Sequence, residues 1–153
     1  MDEKFNMFTV QISRLNRLVR KIKSREIAKL APELKGSHVS CLYYIYKSEC
    51  GVTAKDICDM GEEDKAIISR SLDFLEKNGF IYCESKTEKR YKSILLLTDK
   101  GMMISEKISD IIDKIVDDAS VGLKEEDRII FYKTMNIIDE NLQKICDKCE
   151  EEV

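Results

Sequence analysis

Two groups of residues in this chain could act on another molecule. The first is a set of cations and a hydroxyl: Lys65, Ser69 and Arg70 in "DKAIISRSLDFLEKNG", then Lys86, Lys89, Arg90 and Lys92 in "KTEKRYKSILLLT". Lysine and arginine neutralise phosphates, and the arginine fork can donate two parallel hydrogen bonds to a phosphate or a guanine edge, so this set suits a polyanion. The second group is thiol and imidazole: Cys146 and Cys149 in "CDKC", and the single histidine, His38. Two cysteines three apart on a helix supply only half of a tetrahedral metal site. There is no second CxxC, so closing such a site would need Cys41, Cys50, Cys58 or Cys83 nearby. Plain helix thiols are the expectation, with Cys146 and Cys149 kept as metal candidates and no cofactor implied. The sequence shows no HExxH, no glycine-rich phosphate loop and no Ser/His/Asp constellation, so the chain is not expected to be an enzyme.

Charge and composition constrain what those cations can meet. The 153 residues carry a formal net charge of −3. The charge is sorted along the chain: residues 1–36 hold 9 basic and 4 acidic residues, 37–98 hold 9 and 10, and 99–153 hold 8 and 15. A chain that is negative as a whole can attract nucleic acid only through a local basic surface. With one proline, six glycines and 36% charged residues, helices are expected to dominate. The N-terminal "MDEKFNMFTVQ" lacks the basic-then-apolar layout of a signal peptide, and no apolar run reaches the ~18 residues of a membrane span. The expected compartment is the cytoplasm, where six cysteines stay reduced.

The elements that must position the cations follow from periodicity and punctuation. Phe5, Phe8, Ile12, Leu15, Val19 and Ile22 recur at steps of three and four, the stripe of a long helix, while Arg14, Arg17, Lys21 and Arg25 share another of its faces. A break is expected at "APELKGS", around Pro32. Val39, Leu42, Tyr43 and Tyr46 predict a second helix that stops near Gly51. Thr53 and Asp56 have the spacing of a capping box, opening a two-turn helix that ends at Gly61. Ile67, Ile68, Leu72 and Leu75 then line one side of a helix that Gly79 terminates, leaving Lys65, Ser69 and Arg70 off that side. "FIYCES" and "KSILLLT" predict a hairpin with a longer polar loop at 85–91. Thr98 can cap a helix over 99–119 striped by Ile104, Ile108, Ile111, Ile112 and Ile115, and Phe131, Met135, Ile138, Leu142 and Ile145 stripe a last one.

Helix, short helix, longer helix and hairpin in that order make a winged helix-turn-helix, whose second helix fits the ~12 Å major groove while the hairpin tip reaches an adjacent minor groove. "DKAIISRSLDFLEKNGFI" resembles the recognition helix and strand entry of the MarR family of winged-helix transcriptional regulators, and "SILLLTDKG" resembles that family's second wing strand and "LTxKG" helix entry. The resemblance covers nearly the whole chain. It implies a mainly α fold with a small β-wing: a winged helix-turn-helix lobe at 37–98 flanked by long dimerisation helices at 1–36 and 99–153. It further implies a homodimer on a pseudo-palindromic DNA operator, acting as a ligand-responsive repressor with a small-molecule inducer and no membrane partner. Two departures stand out. Cys83 occupies a place where the family often has arginine, and the acidic-x-Arg of the wing tip is approximated by Glu88-Lys89-Arg90, shifted by one position.

On this reading Lys65, Ser69 and Arg70 serve the major groove, and Lys86, Lys89, Arg90 and Lys92 serve phosphates or the minor groove. His38, at the start of the second helix, is a candidate for a ligand pocket; the plainer expectation is a partly exposed helix-start residue. Two other functions remain open: a helical dimer acting through protein contacts with weak or no DNA binding, and a metal- or redox-responsive regulator using Cys146 and Cys149.

Overall fold

The structure, a computed structural model, describes residues 3–60, 64–84 and 93–151, with side chains described between residues 7 and 148 of these. Helix α1 (Glu3–Leu30) closes with the Ala31 N–H donating to the Ile27 carbonyl at 2.8 Å, and Pro32 then disfavours continuation. Helix α2 (Gly36–Lys47) follows, and the chain reverses at Gly51, whose φ of +77° is the left-handed conformation open to glycine. Helix α3 (Ala54–Met60) starts with the expected capping box: the Thr53 N–H donates to Asp56 Oδ2 at 2.8 Å and the Asp56 N–H donates to Thr53 Oγ1 at 3.2 Å. The expected end at Gly61 lies outside the described residues. Helix α4 (Lys65–Lys77) is capped by Asp64, which accepts from the Ile67 N–H at 2.9 Å, and ends at Gly79 with φ +70°.

Strands β1 (Ile81–Glu84) and β2 (Ile94–Leu97) pair antiparallel, with Ile81 opposite Leu97 and Glu84 opposite Ile94. A bridge from Val52 to Leu95 extends this pair, the Leu95 N–H donating to the Val52 carbonyl at 2.8 Å. Helices α5 (Asp99–Ala119) and α6 (Glu125–Glu151) complete the chain. It divides into two compact units, Met1–Val116 and Asp117–Val153. In the first, one core gathers Ile27 from α1, Leu42 and Ile45 from α2, Ile57 from α3, Ile68, Leu72 and Leu75 from α4, Phe80, Leu95 and Ile108. In the second, α6 leaves Ile130, Phe131, Leu142 and Ile145 exposed. Among the described residues, no helix is long and apolar enough to cross a membrane.

"LTDKG" is where the hairpin is joined to the long helix α5. Thr98 Oγ1 donates to the Gly79 carbonyl at 2.7 Å and accepts from the Gly101 N–H at 3.0 Å, so one hydroxyl caps α5 and ties it to the end of α4. The Lys100 ammonium donates to the Asn78 carbonyl at 2.9 Å and sits 3.9 Å from the centroid of the Phe80 ring. Gly101 is needed for space: a Cβ there would collide with the Phe80 carbonyl. Gly101→Ala gains about 1 kcal/mol of helix propensity, but the collision is with backbone and overpacking of that kind costs up to about 3 kcal/mol. The expected outcome is a net loss of about 1–2 kcal/mol in urea unfolding; a stabilised variant would show that α5 can move away from Phe80.

Candidate nucleic-acid interface

What faces outward on α4 is decided by what faces inward. Ile68, Leu72 and Leu75 are buried, Ser71 is buried beside them, and Ile67 and Phe74 are half-buried. At 100° per residue this leaves Lys65, Ser69 and Arg70 exposed on the N-terminal half of the opposite face, and Asp73, Glu76 and Lys77 on its C-terminal half. Cations and a hydroxyl therefore project from the end of the helix that carries its positive dipole, the end suited to phosphate. The Asp73 and Glu76 carboxylates sit toward the other end, while the Asp64 carboxylate caps this one. The Arg70 Nε donates to its own helix at the Ala66 carbonyl, 3.1 Å away, which directs the guanidinium back toward the N-terminus.

The helix is held in place by α2. Ser71 Oγ and Ser37 Oγ are 2.9 Å apart, and the His38 ring stacks on Phe74 with centroids 4.2 Å apart and planes 7° from parallel. His38 Nδ1 also accepts from the Lys35 N–H at 3.1 Å, satisfying one free amide at the start of α2. The plain expectation of a partly exposed histidine is corrected here: His38 is only 6% exposed. Helical periodicity could not reveal this, because the ring is covered by Phe74, 36 positions later in the chain. Burial, and then the charge of Lys35, hold its pKa below the ordinary 6.5.

Beside the exposed face of α4 is a cavity of about 210 Å³. Ala54 and Cys58 of α3, Ile68 and Leu72 of α4, Ile81 of β1 and Leu95 of β2 give it apolar walls, and Lys65, Ser69, Asp73 and Glu76 also line it. Burial, with Asp59 and Asp64 nearby, pushes the Cys58 thiol above its ordinary value, so it is a neutral thiol at pH 7.

The remaining candidates are distributed as follows. Lys86, Lys89, Arg90 and Lys92 lie outside the described residues. Cys83, at the position of departure, is half-buried in β1. Cys146 is exposed on α6 in the second unit, and the Cys149 side chain lies outside those described. Among the described residues, no group of three or more histidine, cysteine and carboxylate side chains converges to hold a metal ion. Arg14, Arg17, Lys21 and Arg25 are exposed along α1. Sequence reasoning missed the positioning groups Phe74, Ser37 and Ser71, which carry no signal until α2 and α4 are packed together.

No family model matches the chain, and no curated protein does either. Solved structures do. A MarR family regulator from Neisseria meningitidis, NMB1585, superposes with a TM-score of 0.78 at 17% identity, covering 97% of this chain and 99% of that one. A MarR family transcriptional regulator from Listeria monocytogenes, solved with a 26mer DNA, gives 0.77 at 22% identity over 88% of this chain and 87% of that one. A MarR regulator from Methanosarcina mazei gives 0.77 at 19% identity, over 95% and 94%. The chain thus has the winged-helix fold of the MarR regulators, with its two-stranded sheet in the place of the wing.

His38 makes a pH prediction with a definite sign. Its folded pKa is depressed, so as pH falls through about 6.5 the unfolded chain takes up a proton that the folded chain refuses. Stability is complete above that pH and declines below it. Asp56, whose pKa is lowered by hydrogen bonds from Thr53, loses its contribution only in the lower carboxylate range. Urea unfolding between pH 7.5 and 5 should therefore show a decline that His38→Gln abolishes; an equal decline in the variant would assign it elsewhere.

Proposed function

We propose that this protein is a dimeric, sequence-specific DNA-binding transcriptional regulator, a ligand-responsive repressor in the cytoplasm. The observation that carries this reading is the exposed N-terminal half of α4, where Lys65, Ser69 and Arg70 project from a helix whose other side is locked into the core. In this reading Arg70 donates to a base edge, Lys65 and Ser69 brace phosphates, and Lys86, Lys89, Arg90 and Lys92 hold the backbone or enter the minor groove beside it. That a protein of the same fold was solved with a 26mer DNA supports it.

Dimerisation through 1–36 and 99–153 is supported by apolar surface. On α1, Leu15, Leu18, Val19 and Ile22 are all exposed, and α6 exposes its own apolar row. Faces of this kind are covered by a partner in stable proteins, and a second copy presents the identical face. Two linked lobes then bind half-sites about one DNA turn, roughly 34 Å, apart. A small molecule in the cavity between α3, α4 and the sheet would press on Lys65 and Ser69 themselves, and a few ångströms of displacement forfeits a half-site.

A second reading is a helical dimer that acts on other proteins and binds DNA weakly or not at all. The excess of 15 acidic over 8 basic residues in 99–153, with Cys83 where the family often has arginine, favours it. Fluorescence anisotropy with duplex DNA from upstream of the protein's own coding sequence separates the two. The regulator should bind with a negative slope of log affinity against log salt; binding that is absent at every salt concentration sinks it. Arg70→Ala should cost about 1–3 kcal/mol and relax sequence preference, while Lys86→Ala weakens all sequences about equally. In sedimentation the protein should run as a dimer, and Val19→Glu with Ile22→Glu should shift it toward monomer. A wild-type monomer at micromolar concentration would remove the two-half-site mechanism.

A further inference from the structure

Between α1 and the start of α2 lies a cleft of about 300 Å³, lined by none of Lys65, Ser69 and Arg70. Three cations line it: Arg20 and Lys23 from α1, and Lys35, the residue that precedes α2. Three hydroxyls join them, from Ser24, Ser37 and Ser40, and among the described residues no carboxylate lines it. Arg20 and Lys23 each already interact with another group of the chain, so their charge and position matter here and not a vacant donor. They are not part of the basic row of Arg14, Arg17, Lys21 and Arg25. On the helix wheel they flank Ile27, the α1 residue buried in the core, and so are turned toward the lobe.

We infer that this cleft is a phosphate-binding site, and that the phosphate it takes belongs to the DNA backbone flanking α4. Three converging cations, with the Ser24 and Ser37 hydroxyls beside them while Ser40 Oγ donates to the Gly36 carbonyl, and no carboxylate among the described lining residues, suit a compact oxyanion with several acceptor oxygens. An adjoining cavity of about 260 Å³ shares Lys23, Ser24 and Lys35 but is walled by Ile27, Leu34 and Val39, so the polar chamber is the one that fits an anion.

The DNA backbone is favoured over a free phosphate by what else lines the cleft. Ile67 closes one side, and Ile67 lies in the first turn of α4, two residues from Lys65. The contact between Ser37 and Ser71, 2.9 Å, ties the start of α2 to the middle of α4, so the cleft adjoins the helix that carries the exposed cations. A phosphate seated there would fix the register of α4 in the groove without reading sequence. This source rests on the DNA-binding reading above; the phosphate chemistry of the cleft does not.

The test uses the full chain and the variant Arg20→Gln/Lys23→Gln/Lys35→Gln, with circular dichroism confirming its fold, on a random 26-bp duplex between 50 and 200 mM salt. The slope of log affinity against log salt should become shallower by about 0.9 for each cleft that engages one phosphate, about 1.8 for a dimer. The loss should be equal on the protein's own upstream DNA. In a second arm, inorganic phosphate replaces chloride at fixed ionic strength while the Gly36 and Ser37 amide resonances are followed. A shallower slope establishes the DNA source, with or without amide shifts. An unchanged slope with amide shifts in wild type and none in the variant overturns the DNA source and assigns the cleft to a free phosphorylated molecule. An unchanged slope with no shifts overturns the inference altogether. Wild type that binds no DNA but shows the shifts refutes the DNA-binding reading while leaving the phosphate site standing.

Discussion

Ile68, Leu72 and Leu75 of α4 are buried against α2, α3 and the sheet, and nearly everything outside them takes its position from that burial. Each such side chain contributes about 1.5–3 kcal/mol when removed from water, so rotating the helix by one residue would forfeit more than any surface cation could return. The helix has one available orientation. Lys65, Ser69 and Arg70 are outward for this reason, and the Arg70 bond to the Ala66 carbonyl only directs its guanidinium along that face.

The same economy of parts joins the lobe to the long helices. At "LTDKG", one hydroxyl, one ammonium and one missing Cβ connect α4, the sheet and α5 within five residues. At the other end, His38 serves as a helix cap and as the ring that stacks on Phe74. A neutral imidazole can do both, whereas a protonated one would lose its acceptor and bring a positive charge to the positive end of α2. Coupling of this kind transmits a shift at one point to the neighbouring elements of the lobe.

The second unit has a different balance. Its helix α6 is amphipathic yet exposes Ile130, Phe131, Leu142 and Ile145, and α1 exposes Leu15, Leu18, Val19 and Ile22 within the first unit. The charge is divided as well, basic in 1–36 and acidic in 99–153. A chain that is negative as a whole attracts a polyanion only through a local basic surface, so the placement of the local cations matters more than their number.

The elements of this protein were legible in its residues because their signals are local. The Thr53/Asp56 box, the glycines at 51 and 79, the break at Pro32 and the isoleucine stripe of 99–119 each act within one or two turns, and the structure places α2 to α5 where they indicate. The resemblance carried by "SILLLTDKG" was legible too, and packing supplies its reason in the contact between Gly101 and Phe80. What the sequence could not decide depends on residues distant in the chain: which side of α1 meets the lobe, the burial of His38 under Phe74, and the Val52–Leu95 bridge that extends the hairpin. Periodicity gives each helix a face but not the neighbour that face meets. Only the tertiary structure turned Arg20 and Lys23 toward Lys35, because the burial of Ile27, and not the charge pattern, sets the rotation of α1.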